Sequence, residues 1–525
     1  MNNESAKRRQ LPDGIPSFEM IRRDGYVYVD KTDLVWQLVH RGMFNYLSRP
    51  RRFGKSLLVD TLACYFEGKR ELFEGLKIME LEKEWKKYPV IRFDMSEAGA
   101  TEGDVKDFFD KTFLLLEEEF GVETKGATNF SIRFSSILKT IYDKAGGTSV
   151  VVLIDEYDAP LQHSWHTDEH EAVAAVYRSV FACLKSCAKY EKFVFLTGIT
   201  KFTQISLFSV LNNLANVSFM PQFAAICGIT KQEVTDNFMP EIGRMACENG
   251  MTTHEAVEAL QAKYDGYHFS SRNMVDVYNP FSLVRALADG VLGFYWAYSG
   301  ANSLLPKFVD NMELRVRDLD NVYVSMGVLE SSDVTGGAEL FLYQSGYLTI
   351  KDFDGMGYTL GIPNQEVRQA LYEVVIPALT MRGQNEVRTA QFKLLRHMNY
   401  GEVDDAMKTL KALVADVPYS NKKLESMDME ERYRFIISSI FYAIGLSTEV
   451  EHMMAKGRID ILAKALHAIY VIELKLTKNG GLDAAERQIR DNLYAEPFKA
   501  DGREVIPLAV ELDDEGKGIL KWRRG

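Results

Sequence analysis

Arg49-Pro-Arg-Arg-Phe-Gly-Lys-Ser56 follows a short apolar run, Phe44 to Leu47, and opens a helix-like stretch. An apolar strand, a glycine turn, a lysine and a hydroxyl in that order make a phosphate-binding loop. Backbone N–H groups around Gly54, from Arg52 and Phe53 to Leu57, would cradle phosphate oxygens together with the Lys55 ammonium, which is expected to face a solvated site. The Ser56 hydroxyl would sit on Mg²⁺. Arg49 stands where the usual pattern has its first glycine. A Gly-Lys-Ser tripeptide alone is weak evidence, so the second half of such a site matters. It appears at Val150-Val-Val-Leu-Ile-Asp155-Glu156, where apolar residues suit a strand buried on both faces and carboxylates mark its end. Asp155 would hold Mg²⁺, and Glu156 would polarise the attacking water as general base, with Asp158 the next candidate. Either motif alone reads equally well as a core strand with an acidic turn. Both in this order favour ATP binding and hydrolysis. Thr197 ends the next apolar strand, where a polar group near the γ-phosphate is expected, although a threonine there is also ordinary strand chemistry.

A second chemistry lies near the C-terminus. In Ile469-Tyr-Val-Ile-Glu473-Leu-Lys475-Leu, strand alternation puts Glu473 and Lys475 on one face. Asp460, thirteen residues upstream of Glu473 in Gly457-Arg-Ile-Asp460, joins them from the neighbouring strand of a hairpin. Two carboxylates and the Leu474 carbonyl form an oxygen cage that suits Mg²⁺ or Mn²⁺. Lys475 beside the metal-bound water completes a set for phosphodiester hydrolysis. A bare Glu-x-Lys is more often an amphipathic strand facing solvent. Asp460 and the helical Gln488 turn the balance toward a nuclease site.

His163, His166 and His170 have a spacing that would align three imidazoles on one helix face, but the segment reads as a polar loop and a structural metal is disfavoured.

The elements that position these residues are legible in outline. Strand and helix patterns alternate over the first 215 residues, which gives a doubly wound parallel sheet. From Thr230 helices follow, with capping boxes at Thr230-Lys-Gln-Glu233 and Thr252-Thr-His-Glu255. The expected division is a P-loop core at 12–215, a helical lid at 216–300, a mostly helical connector at 301–400 and an α/β restriction-endonuclease-like domain at 401–525. Tyr264-Asp-Gly-Tyr-His-Phe269 and Tyr278-Asn-Pro-Phe-Ser282 read as packing and turn chemistry.

Composition sets the class. The chain's 525 residues and 46% hydrophobic content are ample for several packed domains. A net charge of −12 argues against non-specific coating of nucleic acid, but leaves room for a local basic groove. No apolar run is long enough for a membrane span, and five cysteines without a C-x-x-C pair suggest reduced core thiols in a cytoplasm.

Taken together, Arg49–Ser56, Thr197-Gly-Ile199, Leu211-Asn-Asn-Leu214, Tyr264–Phe269 and Tyr278–Ser282 resemble the bacterial AAA-ATPase-like family. Gly457–Asp460, Glu473-Leu-Lys475 and Gln488-Ile resemble its usual partner, a PD-(D/E)XK nuclease-superfamily domain. In that family an arginine in place of the first loop glycine is the rule. The resemblance implies that Lys55, Ser56, Asp155 and Glu156 serve ATP, and that Asp460, Glu473 and Lys475 serve metal and phosphodiester. It also implies an upstream acid, a position that Glu451 matches and for which Glu449 competes. The expected protein is an ATP-driven or ATP-gated nuclease acting on DNA or RNA. The alternative is an ATP-switched interaction protein whose nuclease-like domain binds without cutting. Oligomeric state is open.

Overall fold

The computed structural model describes residues 9–124, 129–165, 167–200, 214–272, 274–296, 319–331, 338–380, 384–415, 428–454 and 456–525. The chain divides into two compact units, Met1–Tyr295 with Asn321–Asn364, and Trp296–Asp320 with Gln365–Gly525.

The first unit is built on strands β1 (Phe44–Ser48), β2 (Val90–Asp94), β3 (Val150–Asp155), β4 (Glu191–Gly198) and β5 (Ala215–Asn216). They form one parallel sheet in the order β2-β3-β4-β1-β5. Every residue of β3 is buried, as a central strand covered on both faces requires, and each Val, Leu or Ile so placed contributes about 1.5–3 kcal/mol. Phe93 of β2 packs against Phe109, Phe113, Phe134 and Phe181 from helices on one face. Phe66, ending the Lys55–Phe66 helix, packs at 5.2 Å on Phe193 of β4. Phe193 points away from Leu196, which lies in register with Ile154 and, through it, with Phe93, so the sheet is covered on both faces. The expected doubly wound α/β core is present.

Both capping boxes close, Thr230 with Glu233 and Thr252 with Glu255, and start the Lys231–Glu248 and Thr253–Tyr264 helices. With Pro280–Asp289 these helices share a core of Phe238, Ile242, Met245, Leu260, Tyr264 and Leu283. Strands β6 (Ile229–Thr230) and β7 (Val277–Tyr278) pair beside them. Strands β8 (Val322–Ser325), β9 (Thr349–Phe353) and β10 (Gly357–Gly361) form an antiparallel sheet in the order β8-β10-β9. The stretch 301–400, read from sequence as one mostly helical connector, is instead shared between the units: Asn321–Asn364 belongs to the first and the residues on either side to the second. Asn321–Asn364 is bound to the Tyr264–Phe269 segment: the Thr349 hydroxyl accepts from His268 N at 2.7 Å, and Asn364 donates to the Asp265 carbonyl at 2.8 Å. Gly266 has φ +92°, and a Cβ there would lie 2.4 Å from the Pro363 carbonyl oxygen, so only glycine fits the turn.

In the second unit, β11 (Ser447–Met454), β12 (Gly457–Lys464), β13 (Ala468–Leu476), β14 (Glu504–Leu512) and β15 (Ile519–Arg524) make a mixed sheet in that order. Only β13 and β14 run parallel. The Gly481–Asp491 helix lays Ala485 and Ile489 on Ile459, Leu462, Ile469 and Val471. The Met429–Ala443 helix is capped by Asp428, whose side chain accepts from Glu431 N. This mixed α/β unit is consistent with the restriction-endonuclease-like expectation.

Candidate functional site

Parallel pairing brings the ends of β1, β3 and β4 together. Leu47 lies beside Thr197 and Ser48 beside Gly198, while β4 also pairs with β3 and so stands between the strands that carry the two nucleotide motifs. Carboxyl ends of parallel strands are where such sheets bind ligands. Gly54 has φ +86° at the N-cap of the Lys55–Phe66 helix, and Arg52 before it has φ +69°, so the loop wraps tightly into the helix N-terminus. Lys55 is only 4% exposed, and its Nζ donates to the Arg49 and Pro50 carbonyls, each at 3.1 Å. The expectation of a solvated ammonium is thus corrected: the loop curls around Lys55 and supplies its hydrogen bonds. The Ser56 hydroxyl stands beside the Asp155 carboxylate. Burial holds the Asp155 carboxyl above its usual range, against the opposing pull of the Ser56 hydroxyl and the Lys55 charge. Leu57 is half-buried in the first helical turn, where its carbonyl accepts from Thr61.

Glu156 sits just beyond β3 in a left-handed conformation, φ +46°, which costs a non-glycine residue free energy. Among the described residues its carboxylate has no hydrogen-bond or ion-pair partner. Asp158, the reserve candidate for a base, is 1% exposed, and its Oδ2 accepts from Ile199 N, Thr200 N, the Thr200 hydroxyl and Gln162 Nε2 at 2.6–3.0 Å. It serves the turn after β4. Thr197 is completely buried, and its hydroxyl has no partner among the described residues.

The arginine in the glycine's place is an anchor. Arg49, 2% exposed, donates to the Ser48, Ser218 and Phe223 carbonyls at 2.8–3.0 Å and lies 4.1 Å over the Phe269 ring. Phe53 meets Tyr267 and Phe269 edge-on at 4.7 and 5.4 Å, and the Arg52 guanidinium lies 4.8 Å over Phe281. The two aromatic motifs that sequence left as packing thus support the phosphate loop.

In the second unit the β12–β13 ladder runs from Lys464↔Ile469 to Ile461↔Ile472. Beyond it, Asp460 Oδ2 accepts from Leu474 N at 2.9 Å. An extended residue presents N–H and C=O to the same edge, so the Leu474 carbonyl faces the Asp460 side. Glu473 is 1% exposed and its Oε2 is buried without a partner, while Lys475 Nζ donates to Oε1 at 3.3 Å. Burial first, and the neighbouring Asp460 second, push the Glu473 carboxyl up to about 8. Lys475 is lowered by burial, but the Glu473 and Asp460 carboxylates outweigh that and leave it raised. A buried carboxylate oxygen without a donor fits a divalent cation. The donor set that fits is Asp460, Glu473 and the Leu474 carbonyl, since no group of three or more His, Cys, Asp or Glu side chains is placed to hold a metal among the described residues. Glu449 is taken by Lys464 and His452. Glu451 instead joins Arg434 and Arg458 at 3.0 and 3.2 Å, and Arg434 reaches Asp460.

A family model described as "Predicted AAA-ATPase" matches residues 12–208, and one for the PD-(D/E)XK nuclease superfamily matches residues 428–522. The "Uncharacterized protein in vnfD 5'region" of Azotobacter chroococcum mcd 1 is 30% identical over 533 residues, covering 98% of each chain. The chain belongs to the AAA-ATPase-like family. It carries a PD-(D/E)XK nuclease-superfamily domain at its C-terminal end. The Aeropyrum pernix ORC2 protein, solved in ADPNP–ADP complexes, matches over 70% of this chain and 95% of that one, at 9% identity and a TM-score of 0.29.

Other expectations fare differently in this AAA-ATPase-like chain. His163 and His170 lie on separate helices, Ala159–Ser164 and His170–Ser186, so they do not share one helix face; His166 lies outside the described residues, as do residues 211–213. Four cysteines are buried, but Cys247 is exposed. No described helix is long and apolar enough to cross a membrane.

Proposed function

We propose that this protein is an ATP-dependent nuclease, in which ATP binding and hydrolysis by the first unit control phosphodiester cleavage in DNA or RNA by the second. The observation that carries the reading is Glu473: a carboxylate 1% exposed, one oxygen without a partner, beside Asp460 and Lys475. A group in that state is costly unless something binds it. Asp460 and Glu473 would hold Mg²⁺ or Mn²⁺, with the Leu474 carbonyl as a further ligand. Such an ion supplies an acidified water and neutralises phosphate charge. The Lys475 ammonium orients the nucleophile and offsets charge on the phosphorane-like transition state.

In the first unit, Lys55 and the N–H groups from Arg52 to Leu57 would receive the ATP phosphates. Ser56 and Asp155 would hold the accompanying Mg²⁺. Glu156, with its carboxylate unengaged, would orient and deprotonate the attacking water, and the buried Thr197 hydroxyl would read the γ-phosphate end.

The test is incubation of the purified protein with single- and double-stranded DNA and RNA, with and without ATP and with Mg²⁺ or Mn²⁺. Metal-dependent cleavage that Asp460→Ala abolishes, while ATP turnover persists, is the expected result. No cleavage of any substrate under any metal would favour an ATP-switched interaction protein whose nuclease-like domain only binds.

A further inference from the structure

Asp460 is already held by the protein's own cation. Arg434, on the Met429–Ala443 helix, is largely buried and spans two carboxylates: Nη1 lies 2.8 Å from Asp460 Oδ1 and Nη2 lies 3.0 Å from Glu451 Oε1. Leu474 N occupies the other Asp460 oxygen. Both Asp460 oxygens therefore have protein donors, while Glu473 Oε2 has none. A divalent ion shared by Asp460 and Glu473 must compete with the guanidinium for Asp460.

Three further features suit an arginine with two resting places. Its Nε is buried without a partner, so the guanidinium is not fully satisfied where it lies. Glu451, its other acceptor, has φ +55°, a conformation that a non-glycine residue holds only under constraint. Glu451 also pairs with Arg458 at 3.2 Å, which keeps it anchored if Arg434 lets go of Asp460. Release from Asp460 then breaks one ion pair and leaves the other, because the planar fork can remain on Glu451.

We infer that Arg434 is a cationic latch on the metal pair: it holds Asp460 while metal is absent, withdraws to Glu451 as metal binds, and so sets the metal affinity of the site. The inference rests on the metal-nuclease reading. A static support role makes the opposite demand, since an arginine that merely orients Asp460 would help metal bind.

The experiment is calorimetric titration of the full chain with Mn²⁺ alone, with a melting curve of each variant to check the fold. Removing one charge-assisted competitor should tighten binding roughly tenfold or more, so Arg434→Gln should bind Mn²⁺ tighter than wild type by that factor. Arg434→Lys keeps the charge without the fork and should fall between the two; it also carries the test if the glutamine variant unfolds. Unchanged or weaker Mn²⁺ binding in a folded variant overturns the latch. Wild type that takes up no Mn²⁺ while Arg434→Gln does would support it strongly. Uptake by neither removes the metal reading and the latch with it.

Discussion

The Lys55 ammonium is enclosed by the loop it serves, so its loss acts in two ways. Lys55→Ala should weaken ATP binding and also cost about 1–3 kcal/mol of stability, because two loop carbonyls lose a charged donor; calorimetry with ATP and thermal melting read the two effects separately. Glu156→Gln should retain ATP and lose turnover by roughly 10² to 10⁴, the usual worth of a positioned base. Equal turnover in a steady-state phosphate-release assay would remove Glu156 from that role and pass it to Asp158, whose Oδ2 already holds four donors. Glu473 gives a pH signature. Its carboxyl, raised from 4.5 to about 8, keeps a proton in the folded state that the unfolded chain loses above 4.5. Without metal, stability should therefore fall as pH rises through the window from 4.5 to about 8. Metal binding must expel that proton, so Mn²⁺ affinity should rise over the same window and then level. Melting curves and Mn²⁺ titrations across that range check both trends, and Glu473→Gln should flatten both.

Elements explain what the sequence showed and what it hid. The β3 strand and its acidic end were legible because six consecutive buried residues leave a local trace, and the Lys231–Glu248 and Thr253–Tyr264 helices because their capping boxes are local too. Strand alternation alone put Glu473 and Lys475 on one face. The anchoring of Arg49 was not legible: its partners Ser218, Phe223 and Phe269 lie 169 or more residues away, and nothing in an arginine's neighbours states which way it turns. The Tyr264–Phe269 segment and the β8–β10 sheet were opaque for the same reason, since each makes sense only against the other. Arg434 was missed because its contact with Asp460 depends on how a helix lies across a sheet. The aromatic support predicts a separable effect. Phe269→Leu keeps most of the ring's volume and should cost less than about 1.5 kcal/mol. It should still weaken ATP binding, because Arg49 loses the ring face below it and Phe53 the edge beside it. Melting and ATP calorimetry on the same sample check this, and unchanged affinity would confine the aromatic motifs to packing.

At the scale of the molecule, one chain carries the proposed nucleotide site in one unit and the carboxylate–lysine cluster in the other, and the reading as one enzyme requires that they be coupled. Coupling is a free energy between sites and is reciprocal for binding. If nucleotide state controls the second site, Lys55→Ala must change cleavage although Lys55 belongs to the first unit. Conversely, with ATP supplied as its Mg²⁺ complex to a variant such as Glu156→Gln that binds without turnover, Mn²⁺ at the Asp460–Glu473 site must change ATP affinity by the same factor that ATP changes Mn²⁺ affinity there, and Asp460→Ala must remove the effect. A coupling of 1–3 kcal/mol, typical of such systems, corresponds to roughly 5- to 150-fold, well within reach of paired calorimetric titrations. Cleavage that ignores both Lys55→Ala and added ATP, with Mn²⁺ and ATP binding independently, would leave two enzymes sharing a chain and would end the case for control.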